Sequence, residues 1–278
     1  AGITTLLKIN GWKLIFPFIL FILAFFSYHG GKFIFLPVIL FCLAFRLWSN
    51  EFTKLKLNSA IIFIIGILLF VFIYVFLSRL IPDSTLFSRS SDLFFTNTQK
   101  ISDLANEERR LSIENPAQNL FSNKLTVGFN TFISQYLTAF SPGVLFLGGD
   151  LRSTYRFERH GLFYLFDIPL ILLGVASLYS NRRKLFYFFI SLIAVAPIAT
   201  AVSRIEVSVI NRSFLLLPLF VILSSVGLME LVNKTRKLSQ IGVLILATIV
   251  IAVSAINFYH FYFFKFPIIG QEKYWLSE

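Results

Sequence analysis

The sequence is poor in charged residues and has almost no cysteine. Asp, Glu, Lys and Arg together make up 14% of its 278 residues, whereas soluble domains carry about 25%. This composition argues against a soluble fold, a disordered chain or a collagen-like repeat. The single cysteine, Cys42, cannot form an intrachain disulfide. The chain also lacks the GxxxxGK[ST] and GxGxxG motifs that bind nucleotide phosphates, and it lacks a Ser nucleophile elbow.

Apolar residues are abundant instead and indicate a protein of the lipid bilayer. They make up 56% of the chain, and Phe alone occupies 35 positions. A helix needs roughly 20 apolar residues to cross the hydrocarbon core. Seven stretches approach this length, which predicts an all-α integral membrane fold with about seven transmembrane helices. They are 12–28, 33–47, 59–78, 161–179, 185–202, 213–232 and 241–263. The first two are so close together that they predict a tight helical hairpin, with a re-entrant pair as the alternative.

The net charge of +11 takes its meaning from where the cations lie along the chain. If the stretches alternate in direction, one set of connections holds eleven cations and the opposite short connections hold five. The first set is Lys8, Lys13, Arg46, Lys54, Lys56, Arg182, Arg183, Lys184, Lys234, Arg236 and Lys237, and the second is Lys32, Arg204, Arg212, Lys265 and Lys273. The positive-inside rule then puts the first set and the amino end in the cytoplasm.

The same alternation places segment 79–160 outside the cytoplasm and predicts three regions. Residues 1–78 hold three transmembrane helices, 79–160 form an extracytoplasmic segment, and 161–278 hold four transmembrane helices and an outer tail. Within the segment, 102–111 is typical of a short amphipathic helix that begins at a Ser or Asp cap. Residues 125–140 are too polar to span and are predicted to lie along the outer interface, with their apolar and aromatic side chains among the lipid headgroups.

Cations at the outer ends of the spans are the first candidates for a binding site. Arg204 and Arg212 flank the connection between the fifth and sixth spans, and Lys32 lies in the first hairpin. Guanidinium and ammonium groups at the mouth of a helix bundle suit a lipid phosphate. The alternative is that they snorkel to the headgroups, as interfacial cations usually do. Arg212 is favoured for binding because it opens a span and has no acidic residue close to it in the sequence.

A second basic group follows the interfacial segment. Arg152, Arg156 and Arg159 recur at i, i+4 and i+7, so a helix would align them on one face. The preceding Gly148, Gly149 and Asp150 predict a turn and a helix start. The alternative is a solvated loop with Glu158 as the internal counter-ion.

Two further groups have competing interpretations. Asp167 precedes Pro169 by two residues, so its carboxylate either caps backbone freed by the proline or takes part in binding. All three histidines, His29, His160 and His260, fall at outer ends of spans. No cofactor is expected, and a divalent metal held by these histidines is the weaker alternative because no metal-ligand spacing supports it.

Several strings taken together resemble a known group of enzymes. They are SYHGGKF at 27–33, YLTAFSP at 136–142, and LFLGGD at 145–150, followed by a basic turn at 182–184 and a span that starts at 211–213. Over most of the chain this order resembles bacterial membrane glycosyltransferases of the GT-C superfamily, the group of the dolichyl-phosphate-mannose protein mannosyltransferases and the lipid A aminoarabinose transferase.

The resemblance implies sugar transfer from a polyprenyl-phosphate donor to a lipid, glycan or protein hydroxyl at the outer face of the bacterial inner membrane. A carboxylate would deprotonate the acceptor while cations stabilise the departing phosphate. Membrane lipids are the other expected partners, and nucleic acid is not expected. Donor phosphate is expected to bind Arg212, Lys32, Arg204 and His29. The rest of the substrate is expected to bind Tyr28, Asp150, Arg152, Arg156, Arg159 and His160.

One departure from the family pattern changes the expectation for catalysis. The family carries its catalytic aspartate in the first outer loop, whereas residues 29–32 include no carboxylate. We therefore expect this chain to be the carboxyl-terminal part of a longer enzyme with its catalytic acid upstream of Ala1. Two other functions compete. One is a transporter or flippase, which would carry paired charges at the bilayer midplane. The other is a non-catalytic assembly subunit.

Overall fold

The computed structural model describes residues 15–27, 31–48, 98–111, 118–149, 161–203, 209–235 and 237–268, together with the single residues Ile3, Lys13, Leu68, Phe72, Val75, Phe76, Arg79 and Ile113. Of these residues, 87% are helical, and none lies in a strand. Three helices are long and apolar enough to cross a membrane: Arg183–Ala201, Leu216–Lys234 and Ser239–Ile268. The predicted helical class is therefore confirmed, and these helices indicate a membrane protein.

Eleven α-helices follow one another along the described residues, with a π-helical turn after the fifth and another at the end of the last. The first six are α1 (Ile15–Ser27), α2 (Gly31–Trp48), α3 (Thr98–Leu111), α4 (Gln118–Phe121), α5 (Lys124–Thr138) and α6 (Asp167–Asn181). The others are α7 (Arg183–Val195), α8 (Ile198–Ala201), α9 (Val209–Arg212), α10 (Leu216–Lys234) and α11 (Lys237–His260). The π-helical turns are Gly143–Leu147 and Phe261–Lys265.

Most of the predicted spans correspond to one of these helices, with two differences. The fourth stretch was predicted from residue 161, but residues 161–166 form turns and α6 begins only at Asp167. The fifth continues beyond Val195 through a turn at Pro197 into α8. Of the third stretch, 59–78, only Leu68, Phe72, Val75 and Phe76 are among the described residues.

The chain forms two compact units. The first comprises Ala1–Thr138, Tyr187–Val207 and Asn211–Ser213, and the second comprises Ala139–Phe186, Ser208–Ile210 and Phe214–Glu278. In the first unit, α1 and α2 pack as the predicted hairpin, with the rings of Phe21 and Phe25 edge-on to Phe35. At the other end of α2, Phe45 stacks on Phe188 at 4.4 Å between centroids. Aromatic packing thus holds both ends of α2.

Both predicted amphipathic helices are present in the first unit. The first begins earlier than predicted: α3 starts at Thr98, so Ser102 lies inside the helix and is not its cap. The second, α5, runs over Lys124–Thr138 as expected. Asn123 caps it, because its Oδ1 accepts hydrogen bonds from the backbone N–H groups of Leu125 and Thr126, both at 2.9 Å.

Helix α5 has an exposed apolar stripe with a period of four residues. Leu125, Phe129, Ile133 and Leu137 form this stripe, with exposed fractions of 37% to 86%. The buried residues of the helix are Val127, Gly128 and Gln135. An exposed apolar stripe is typical of a helix lying in a membrane interface. Val127, an apolar residue of the same stretch, is buried and does not belong to this stripe.

The second unit is built on α6 and α10, which run parallel. Asp167 at the beginning of α6 is bonded to Ser224 in the middle of α10, and Ser177 is bonded to Glu230 nearer the C-terminal ends of both helices. Between these bonds the backbones approach so closely that a methyl group on Gly174 would collide with the carbonyl oxygen of Leu223. Small residues permit this kind of contact between membrane helices.

Helix α11 is the longest helix and the least covered. The apolar helix Ser239–Ile268 is 30 residues long, and its most apolar 18-residue window contains no buried residue. Tyr164, just before α6, donates a hydrogen bond to the carbonyl oxygen of Ser254 at 2.9 Å. Since Ser254 lies toward the C-terminal end of α11, this helix runs antiparallel to α6 and α10.

Candidate functional site

Four polar side chains are buried together after the fifth apolar stretch. Thr200 lies in α8, Ser203 follows it, Arg212 ends α9, and Ser213 comes next. Their exposed fractions are 2%, 1%, 6% and 5%, respectively. We call these four residues the Arg212 cluster. All of them belong to the first unit.

Hydrogen bonds connect the members of the Arg212 cluster in two pairs. The Nη1 of Arg212 donates to the Oγ of Ser203 at 2.7 Å, and this hydroxyl donates in turn to the carbonyl oxygen of Ala199. The hydroxyls of Thr200 and Ser213 lie 2.6 Å apart. The chain from Ala199 through Ser203 therefore fixes the orientation of the guanidinium from one side.

The burial of Arg212 bears on the two interpretations of this cation. An arginine that snorkels extends its guanidinium to the headgroup region, but only 6% of Arg212 is exposed. Burial therefore favours binding for this residue. The sequence prediction that Arg212 opens a span needs correction, because the residue ends the short helix α9 and α10 begins only at Leu216.

A buried guanidinium is suited to an anion. Removing the charge from water costs several kcal/mol, about as much as a good ionic partner returns. The group offers five N–H donors in a planar fork, a geometry that matches phosphate oxygens. The bond to Ser203 uses one of these donors. The Arg212 cluster thus provides an oriented positive charge in a water-poor place.

Neighbouring helices of the same unit pack against α8, which carries Thr200 of the Arg212 cluster. Helix α8 packs against both α2 and α5. The hydroxyl of Tyr136 on α5 donates to the carbonyl oxygen of Ala194 at 2.7 Å. Burial raises the pKa of the Tyr136 hydroxyl above its usual value, so the group stays protonated and keeps donating. This bond holds the C-terminal half of α5 beside the end of α7.

Gln135 is a polar residue of this region that the sequence did not single out. It is 2% exposed, and no acceptor in the described part of the chain reaches its Nε2. Its spacing from Val127 and Gly128, eight and seven residues, puts it on their face of the helix. The spacing of these residues is visible in the sequence. The sequence does not indicate, however, that the face with Gln135 is buried and that the apolar stripe is exposed.

The other predicted site residues are placed only in part. Lys32 lies in the first turn of α2. Two predicted phosphate-binding residues, His29 and Arg204, lie outside the described residues. The same is true of the six residues predicted to bind the rest of the substrate: Tyr28, Asp150, Arg152, Arg156, Arg159 and His160. The turn predicted before them is present, because Gly148 ends the π-helical turn and Gly149 has a left-handed φ of 67°.

Asp167 accepts two hydrogen bonds at the start of α6, and neither comes from backbone freed by Pro169. One carboxylate oxygen accepts from the backbone N–H of Tyr164 at 3.0 Å, and the other accepts from Ser224 at 3.1 Å. The carboxylate thus satisfies backbone ahead of the first turn of α6, where a negative charge is also favoured by the helix dipole. Glu230 is likewise engaged, by Ser177 at 2.9 Å and Lys234 at 3.0 Å.

The described residues contain no group of three or more His, Cys, Asp or Glu side chains that would hold a metal ion. Of the three histidines considered as ligands, only His260 is described, and its ring stacks on Phe264 at 5.7 Å. In comparisons with known proteins, no family model, curated protein or solved structure matches this chain.

Proposed function

We propose that this chain transfers a sugar from a polyprenyl-phosphate donor to a hydroxyl of a lipid, glycan or protein acceptor, as a GT-C type glycosyltransferase of the bacterial inner membrane. The observation that carries the proposal is the burial of Arg212 and its bond to Ser203. A fixed, buried guanidinium is what a departing lipid phosphate requires.

In the proposed chemistry, the guanidinium of Arg212 contacts the leaving phosphate. As the bond between the sugar and the phosphate breaks, negative charge develops on the phosphate oxygen. A guanidinium already oriented by Ser203 stabilises this charge without reorganising during the reaction. The resemblance implies a carboxylate that takes the proton from the acceptor hydroxyl, and we assign that role to no described residue.

The packing of the second unit supports the multi-pass arrangement that this function needs. Two parallel helices that both cross a bilayer require an intervening segment that crosses back, and α7 lies between α6 and α10 in the chain. Helix α11 runs opposite to both, as the next span should. We therefore retain the arrangement of about seven spans with alternating directions.

Charge at the helix ends supports the proposed orientation. Because α6 and α10 are parallel, their C-terminal residues lie at the same end. Arg182, Arg183 and Lys184 follow α6, and Lys234 closes α10. A concentration of cations marks the cytoplasmic side. We therefore propose that the end of α6 beside Arg182 is cytoplasmic and, from the alternation of the spans along the chain, that segment 79–160 is outside.

A transfer assay tests the proposal. Membranes containing the protein, expressed from its full-length gene, are incubated with radiolabelled undecaprenyl-phosphate mannose, and loss of label from the donor lipid is measured. We expect Arg212→Gln to lower transfer by roughly a hundredfold, as removing one oxyanion donor does in other enzymes. Arg182→Gln is the matched control, since Arg182 is exposed, and transfer should be unchanged. Equal rates for Arg212→Gln and the native protein would remove Arg212 from the site.

A further inference from the structure

We propose that the side-chain amide of Gln135 is a binding group for the donor head group and donates a hydrogen bond from Nε2 to one of its oxygens. The inference rests on the proposed function, because it concerns the same ligand as Arg212. It adds a neutral donor on α5 to the cation at the end of α9.

The first argument is the burial of an amide donor without an acceptor. Gln135 is 2% exposed, and within the described part of the molecule nothing accepts a bond from its Nε2. Native proteins satisfy the large majority of their buried polar atoms, so each exception calls for an explanation. A ligand oxygen that arrives later is one such explanation, and it accounts for why the amide is retained.

The second argument comes from the faces of α5. The helix exposes the apolar stripe of Leu125, Phe129, Ile133 and Leu137 and buries Gln135 on the opposite side. A helix selected only for packing would bury apolar side chains there and expose the amide. A membrane interface accounts for the exposed stripe, but it does not account for an uncharged donor on the covered face.

The third argument is the position of Gln135 in the first unit. Its neighbour Tyr136 is bonded to the carbonyl oxygen of Ala194 at 2.7 Å, which holds this part of α5 at the end of α7. Helix α8, which packs against α5, carries Thr200 of the Arg212 cluster. Gln135 therefore lies on a helix in direct contact with the one that carries Thr200, and Thr200 is bonded to Ser213, the residue after Arg212.

The Nε2 of Gln135 can bind only a ligand group that accepts a hydrogen bond. An –NH2 group donates equally well to a phosphate oxygen and to a sugar hydroxyl. Both oxygens belong to the head group of a lipid-linked sugar, and the prenyl tail offers neither. Two probes separate them, because undecaprenyl phosphate has only the phosphate whereas undecaprenyl-phosphate mannose has both.

Gln135→Met tests the inference, because Met has a similar length and helix propensity but no donor. The matched control is Gln118→Met, which removes an amide of the same unit whose Nε2 already donates to the carbonyl oxygen of Arg109 at 2.7 Å. For both full-length variants in detergent, binding of the two probes is measured by microscale thermophoresis, and the midpoint of thermal unfolding is measured without lipid.

We expect Gln135→Met to weaken binding of undecaprenyl-phosphate mannose about tenfold, the worth of one hydrogen bond. The same variant should unfold at a higher temperature without lipid, because a buried, unsatisfied donor is gone. Equal weakening of both probes would assign the amide to the phosphate, and weakening of the mannose lipid alone would assign it to the sugar. Gln118→Met should unfold at a lower temperature and bind both probes normally.

Two results overturn the inference, and they are distinguishable. If the native protein binds both probes and Gln135→Met binds them equally well, only the role of Gln135 is wrong. If the native protein binds neither probe, the proposed function fails and the inference fails with it. A lower unfolding midpoint for Gln135→Met with unchanged binding would show that the amide is a packing residue.

Discussion

At the scale of single residues, the Arg212 cluster combines a charge with the groups that orient it. Ser203 accepts from Arg212 and donates to Ala199, so its hydroxyl connects the side chain to the backbone of α8. Hydrogen bonds to charged groups contribute about 1.5–3 kcal/mol to stability, more than bonds between neutral groups. Ser203 is therefore a positioning residue for the cation. It should affect the rate of sugar transfer indirectly, by orienting the guanidinium of Arg212.

Replacing Ser203 with Ala tests this role. We expect Ser203→Ala to lower the free energy of unfolding by about 1.5–3 kcal/mol and to lower sugar transfer, because the guanidinium loses its anchor. Ser203→Thr keeps the hydroxyl and should restore most of the transfer. Thermal unfolding in detergent and the transfer assay provide the two measurements. Ser225→Ala is the control, since that hydroxyl is exposed and donates only to Val221 in its own helix.

The relative transfer rates of Ser203→Ala and Ser203→Thr distinguish a positioning role from a packing role. If Ser203 only fills space, the extra methyl group of Ser203→Thr should lower transfer more than the loss of the hydroxyl in Ser203→Ala. The reason is that the site is 1% exposed and has little room for added atoms. Transfer by Ser203→Thr that falls below transfer by Ser203→Ala would contradict the positioning role.

At the scale of helices, the contact between α6 and α10 depends on two glycines. A methyl group on Gly174 would meet the carbonyl oxygen of Leu223, and one on Gly227 would meet that of Leu170. Both obstacles are backbone atoms inside helices, which cannot rotate away as a side chain does. The parallel packing therefore requires both residues to lack a side chain.

Gly174→Ala and Gly227→Ala should each lower the free energy of unfolding by about 1–3 kcal/mol or more, the usual cost of overpacking. Gly242→Ala is the matched control, because nothing lies within 4 Å of the added methyl group. That substitution should raise helix stability by up to about 1 kcal/mol through helix propensity. The midpoints of thermal unfolding in detergent should follow this order, and equal midpoints for the three variants would exclude the close contact.

The same helices show what the sequence could and could not predict. Apolar runs predicted α2, α7, α10 and α11 because length and hydropathy are local properties. They could not indicate the parallel contact at Gly174 and Gly227, since periodicity does not say which partner covers a face. The same holds for Gln135: the pattern of α5 separates its faces, but it does not show which face α3, α4 and α8 cover.

At the scale of the whole molecule, the directions of the helices show which cations lie at the same end. In the sequence, their assignment to two sides rested on the assumption that the spans alternate. In the second unit, the parallel α6 and α10 bring Arg182, Arg183, Lys184 and Lys234 to the same end. Asp167 lies at the other end of α6. This charge asymmetry predicts a cytoplasmic position for the end with Arg182.

Single cysteines introduced at exposed positions test this orientation. Ile113 is 91% exposed, and Ile113→Cys should react with an impermeant maleimide in intact cells, because segment 79–160 is predicted to be outside. Arg182→Cys, also at an exposed position, should react only after the membrane is permeabilised. Cys42 has an exposed fraction of 0%, so it should stay unlabelled and can remain in both variants. Reversed labelling would place the Arg212 cluster on the cytoplasmic side, away from any donor lipid presented outside, and would leave the proposed transfer without access to its substrate.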